Sequence, residues 1–105
     1  MVLTEKSLRR VRAIHTLSRR VNAGRNTPHA RKLLSLMKEH AAEIEELLGK
    51  GDAHHIVETG DLIVLCLELL LESGRSPDAV IEESFRRYER KLNELLPRRR
   101  KRTVP

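Results

Sequence analysis

Between His40 and Leu71 the chain places carboxylates at spacings that can gather several of them around one cation. His40, Glu43 and Glu46 precede a Gly49-Lys50-Gly51-Asp52 turn, and Glu58 and Asp61 follow it. If the chain folds back on itself at Asp52, Glu43 and Asp61 lie nine residues either side of that point, and Glu46 and Glu58 lie six. Two acidic pairs would then stack one turn apart. Four facing carboxylates repel one another unless a cation joins them. The competing reading makes Glu43, Glu45 and Glu46 a plain solvated helix face, the usual fate of a charge cluster.

The elements that must position these groups are all helical in pattern. Thr4 is placed to cap a first helix to about Val21, with Leu8, Val11, Ile14 (or His15), Leu17 (or Ser18) and Val21 on its apolar face. Gly24 breaks it, and Thr27-Pro28 reads as the N-cap and first residue of a second helix reaching about Leu48. Along that helix Leu33, Leu36, His40, Glu43 and Leu47 form one seam, while Leu34, Met37, Ala41, Ile44 and Leu48 form another. His40 and Glu43 therefore interrupt an apolar stripe, where polar groups need hydrogen bonds or a metal. Glu39 and Glu46 stand on its shoulder.

Asp52 is placed to cap a third helix, Ala53 to Ser73. Its run from Leu62 to Leu71 is apolar at nearly every position, which predicts burial all round, most simply against a second subunit. Ser76-Pro77 opens a fourth helix with Val80, Ile81, Ser84, Phe85, Tyr88, Leu92 and Leu95 on one face, and Pro97 closes it. The expected fold is all-α: a four-helix subunit, residues 1–97, whose bundle is completed by dimerisation. Residues 98–105 read as a disordered basic tail.

Composition narrows the functional classes. The chain has 105 residues with a formal charge of +6, but taking Arg98, Arg99, Arg100, Lys101 and Arg102 from its 21 basic residues leaves sixteen against fifteen acidic. The folded part is nearly neutral, so nucleic-acid binding is expected only weakly, through the tail. Cys66 is the single cysteine, which excludes an internal disulfide and suits a reducing cytoplasm. It reads as a small core residue. No apolar run is long enough to span a bilayer, so a soluble protein without membrane contact is expected.

Taken in order, these motifs resemble the MazG-like, all-α nucleoside triphosphate pyrophosphohydrolases, a family related to phosphoribosyl-ATP pyrophosphatase. Lys38-Glu39-His40-Ala41-Ala42-Glu43 stands at the family's Glu-Glu-x-x-Glu motif, Gly51-Asp52 at its turn, and Glu58-Thr59-Gly60-Asp61-Leu62 at its Glu-x-x-Asp motif. The likeness runs from about residue 8 to 96, through Gly74-Arg75-Ser76-Pro77 and Arg86-Arg87-Tyr88-Glu89-Arg90-Lys91-Leu92. It implies hydrolysis of a nucleoside triphosphate to a monophosphate and pyrophosphate by a dimer, or a dimer of dimers, using Mg²⁺ or Mn²⁺. Glu43, Glu58 and Asp61 are the implied catalytic metal ligands, with Glu46, Glu39 or His40 in the fourth place. Lys38, Arg87 and Lys91 are implied phosphate contacts, together with Arg86 and Arg90.

Two departures are specific. His40 stands where the family has the first Glu of its metal-binding pair, and the spacing to Glu58 is one residue short. A neutral imidazole there removes a negative charge and favours transition metals over Mg²⁺. Phe85 also replaces the asparagine expected in the fourth helix. The alternative reading is accordingly a non-catalytic helical dimer that binds nucleotide or a protein partner. His40-x-x-Glu43 reverses the order of a di-iron Glu-x-x-His motif and has no second copy. His54 and His55 read as surface residues, and His15 and His29 show no partner pattern.

Overall fold

A computed structural model describes residues 2–96. Among them are four α-helices and no strand: α1 (Glu5–Asn22), α2 (His29–Gly49), α3 (His55–Glu72) and α4 (Pro77–Leu95). Pro97 and the tail expected at 98–105 lie outside the described residues.

Local chemistry sets the boundaries. The Thr4 hydroxyl accepts the Ser7 N–H at 3.0 Å, capping α1. Pro28 precedes α2 in an extended conformation without a side-chain cap, so the helix starts at His29, one residue later than expected. Asp52 acts slightly upstream of its expected place. Its Oδ1 accepts the His54 N–H at 2.8 Å, holding a turn before α3 starts at His55. Both α2 and α3 end in the same C-terminal motif. With Gly51 at φ +68°, its N–H bonds Leu48 O at 3.1 Å and the Asp52 N–H bonds Leu47 O at 2.9 Å. Gly74, at φ +72°, repeats the pattern with Leu71 and with Arg75 on Leu70. A left-handed residue at this position satisfies two otherwise orphaned carbonyls, which is why glycine stands there.

Helix α3 is the hub: it packs most extensively against α2, then α1, and only lightly against α4. Val11, Leu33, Leu65 and Leu67 are the buried apolar core, with Leu33 only 1% exposed. On α1 the expected face is rotated. Leu17 and Val21 are 58% and 74% exposed, whereas His15 and Ser18 are half-buried and Asn22 is buried. The reason lies across the interface, where α3 presents Glu68 and Glu72 to this face of α1.

The subunit does not bury α3 all round. Leu65, Leu67 and Glu68 are enclosed, but Ile63 and Cys66 are exposed, so Cys66 is not a core residue. The apolar side chains Phe85, Tyr88, Leu92 and Leu95 of α4 are also open to solvent. Asp78 ties the start of α4 to the N-terminus, its Oδ1 accepting the Val2 and Leu3 N–H groups at 2.7 and 2.6 Å. Beyond that point α4 runs without neighbours from α1 or α2. The radius of gyration, 17.9 Å, accordingly exceeds the roughly 13 Å of a compact domain of this size. No described helix is long and apolar enough to cross a membrane.

Candidate metal centre

Helix geometry decides which groups of α2 can meet α3. At about 100° per residue, Leu33, Leu36, Met37, His40, Ile44 and Leu47 form a single face, and each is buried or half-buried. His40 sits near the middle of that face. Glu43 lies at its edge, about 70° off, while Glu39 and Glu46 lie about 110° and 130° off and point to solvent. On α3, Glu58, Asp61 and Leu65 follow one another at three- and four-residue spacing and share the face turned to α2.

The central contact is His40 Nδ1 to Glu58 Oε1 at 2.8 Å. Asp61 completes the group: one potential ligand atom from each of His40, Glu58 and Asp61 lies within 4.8 Å of the other two. His40 is half-buried, Glu58 is buried and Asp61 is exposed, so the cluster opens to solvent on one side. With Nδ1–H donating to Glu58, a neutral His40 ring carries its lone pair at Nε2.

The carboxylates feel one another. Glu43 is held above the usual carboxylate range, first by hydrogen bonding with Glu58 and then by repulsion from it. Glu58 is pushed below its ordinary value, chiefly by the hydrogen bond from His40; burial opposes that shift, and Glu43 and His54 reinforce it. Of the two, Glu43 is therefore the more readily protonated.

The register differs from a simple fold-back at Asp52. Glu58 meets His40 and Glu43, about one to two turns deeper along α2 than Glu46. The Glu46 side chain is 65% exposed and pairs with Lys50 at 2.9 Å, one turn on along its own helix. Its direction, about 130° off the buried face, is the physical reason. Glu39 and Lys38 are likewise exposed on α2.

No family model, curated protein or solved structure matches this chain. An imidazole and two carboxylates, with a third carboxylate alongside, form a donor set for a divalent cation. The imidazole suits Mn²⁺ or Zn²⁺ better than an all-oxygen set would, and the carboxylates suit Mg²⁺.

The basic residues expected at the phosphates are not beside this cluster. Arg87 and Lys91 are exposed on α4 and line a shallow groove with Tyr88, Arg90 and Glu94, all from the same helix. Arg86 lies on an adjoining part of α4. Since α4 approaches α3 alone, and only lightly, it brings no basic side chain to the α2–α3 carboxylates within one subunit. His54, read as a surface residue, is exposed but reaches toward the cluster, its Nε2 3.9 Å from Glu58 Oε2. Its i, i+4 relation to Glu58 was the available signal.

Proposed function

We propose that the chain is a metal-dependent nucleoside triphosphate pyrophosphohydrolase of the MazG-like type, converting a triphosphate to a monophosphate and pyrophosphate. The observation that supports it is the convergence of His40, Glu58 and Asp61 from two packed helices, with the Glu43 carboxyl raised by Glu58. In this reading Glu43, Glu58, Asp61 and His40 hold Mg²⁺ or Mn²⁺. The bound ion would acidify a water and neutralise charge on the phosphates.

The active form proposed is a homodimer, alone or paired into a tetramer. Ile63 on α3 and Phe85, Tyr88, Leu92 and Leu95 on α4 are large apolar side chains left open by one subunit. Covering them with a second copy gives Arg87 and Lys91 a route to a neighbouring subunit's carboxylates, which their own subunit does not provide. Pyrophosphate release from a panel of canonical and modified nucleoside triphosphates, with Mg²⁺ and then Mn²⁺, tests the proposal. Turnover that Asp61→Asn and Glu58→Gln both abolish, at unchanged helix content, supports it; turnover unaffected by them excludes this site.

One observation favours a second reading. The His40 hydrogen bond gives Glu58 a partner without any cation, as a helical interaction module that binds nucleotide or protein without turnover would need. Silence across the panel from a folded dimer would select it.

A further inference from the structure

A second cluster lies two turns further along the same face of α3, where α1 also packs, and uses none of the residues above. His15 comes from α1, His29 from the first turn of α2 and Glu68 from α3. One ring nitrogen from each histidine and one oxygen of Glu68 lie within 4.8 Å of one another. The ring centroids are 5.6 Å apart and the planes tilt by 58°. Glu68 is only 3% exposed. A carboxylate so deeply placed needs hydrogen bonds, a paired charge or a metal to satisfy it.

The hydrogen bonds assign the proton of His29. The Ser18 hydroxyl donates to Glu68 Oε1 at 2.5 Å, so its 2.9 Å contact with His29 Nε2 has the ring N–H as donor. His29 Nδ1 then carries the lone pair. His15 Nε2 lies 3.2 Å from Glu72 Oε1, which in turn binds Arg19. This is an ion-pair distance without hydrogen-bond alignment, and His15 Nδ1 faces Glu68 Oε1 at 3.9 Å, beyond hydrogen-bond reach. Both Nδ1 atoms are buried and have no hydrogen-bond partner. Buried polar atoms are rarely left so, and two in contacting rings beside a buried carboxylate form an unusual concentration.

We infer that His15, His29 and Glu68 bind a divalent transition-metal ion, with Zn²⁺ the best match to two imidazoles and one carboxylate. Ser18 then acts as the outer partner that holds the His29 ring by its N–H group, the arrangement usual for metal-bound histidines, with Glu72 beside the His15 ring. Zinc ligands at about 2.0–2.2 Å stand roughly 3.3 Å apart around a tetrahedron, so side-chain adjustments of about 1 Å close the site. His29 and Glu68 also line a cavity of about 370 Å³, which has room for a water as fourth ligand. Glu68 is seven residues beyond Asp61, about 10 Å along α3. The ion is therefore separate from any at the first centre, and the inference does not depend on the nucleotide reading.

The test uses the full chain carrying Glu58→Gln and Asp61→Asn, which disables the first centre, titrated with Zn²⁺ alone. We expect binding of one equivalent, raised thermal stability, and shifts of the His15 and His29 imidazole ¹⁵N resonances while those of His54 and His55 stay in place. Adding His29→Gln or His15→Gln should weaken Zn²⁺ binding by about tenfold or more, with helix content confirming the fold. The inference is overturned if the His15 and His29 resonances do not respond to Zn²⁺, or if either substitution leaves the affinity within twofold. The resonance measurement needs no histidine variant, so it decides the matter even where His29→Gln fails to fold.

Discussion

The Nδ1 of His40 donates to Oε1 of Glu58 across the α2–α3 interface at 2.8 Å, and this one bond sets the electrostatics of the acidic cluster. It draws the Glu58 pKa down, and Glu58 in turn raises that of Glu43. It also orients an imidazole lone pair that a carboxylate at position 40 would replace with negative charge.

His40→Glu is expected to turn the cluster from Mn²⁺-preferring toward Mg²⁺. A fourth carboxylate adds charge and a hard oxygen donor where the imidazole supplied neither. The ratio of Mn²⁺ to Mg²⁺ affinities, measured by calorimetry, should fall by about tenfold, which corresponds to ~1.4 kcal/mol. A ratio that does not move would place His40 outside the coordination sphere.

The two shifted carboxylates predict opposite pH effects on the metal-free protein. Glu58, with its pKa lowered by folding, contributes stability that is full above the unfolded value of about 4.3 and lost as pH falls through the depressed value. Glu43, with its pKa raised, costs stability as pH climbs from that unfolded value through the raised one. Glu43→Gln should therefore gain on the parent protein as pH rises through the raised value and lose that advantage in acid, read from urea midpoints across pH 3–7. An advantage that does not change with pH would contradict the coupling.

Mn²⁺ binding should tighten over the same interval, because Glu43 must lose its proton to ligate. The pH dependence should flatten in Glu43→Gln. Isothermal titration at several pH values gives both curves.

Ile63→Glu and Phe85→Glu place charges on apolar side chains that one subunit leaves exposed. If a second copy covers them, sedimentation should show the dimer giving way to monomer with helix content retained. A monomer before substitution would remove the proposed route by which Arg87 and Lys91 reach the carboxylates.

Leu33→Ala should destabilise the fold by about 2–5 kcal/mol, since Leu33 is nearly inaccessible where α2 enters the core. Leu34→Ala, at the exposed neighbouring position, should stay within about 0.5 kcal/mol. Chemical denaturation of the two variants measures the contrast.

What the sequence determined by itself was local. Helix number and ends follow from caps and breakers: Thr4, Ser76-Pro77, Gly51 and Gly74 each act through groups a few residues away. Glu58 and Asp61 belong together for the same reason, being one turn apart. Only the tertiary structure decided which face of each helix was covered. The α2–α3 register gave Glu58 to His40 and Glu43 and sent Glu46 to Lys50, because side chains about 60° apart on one helix can point to different surroundings. The polar face of α1 and the meeting of His15, His29 and Glu68 depended on three helices packing together. Those residues are up to 53 positions apart, and no spacing along the chain encodes their approach.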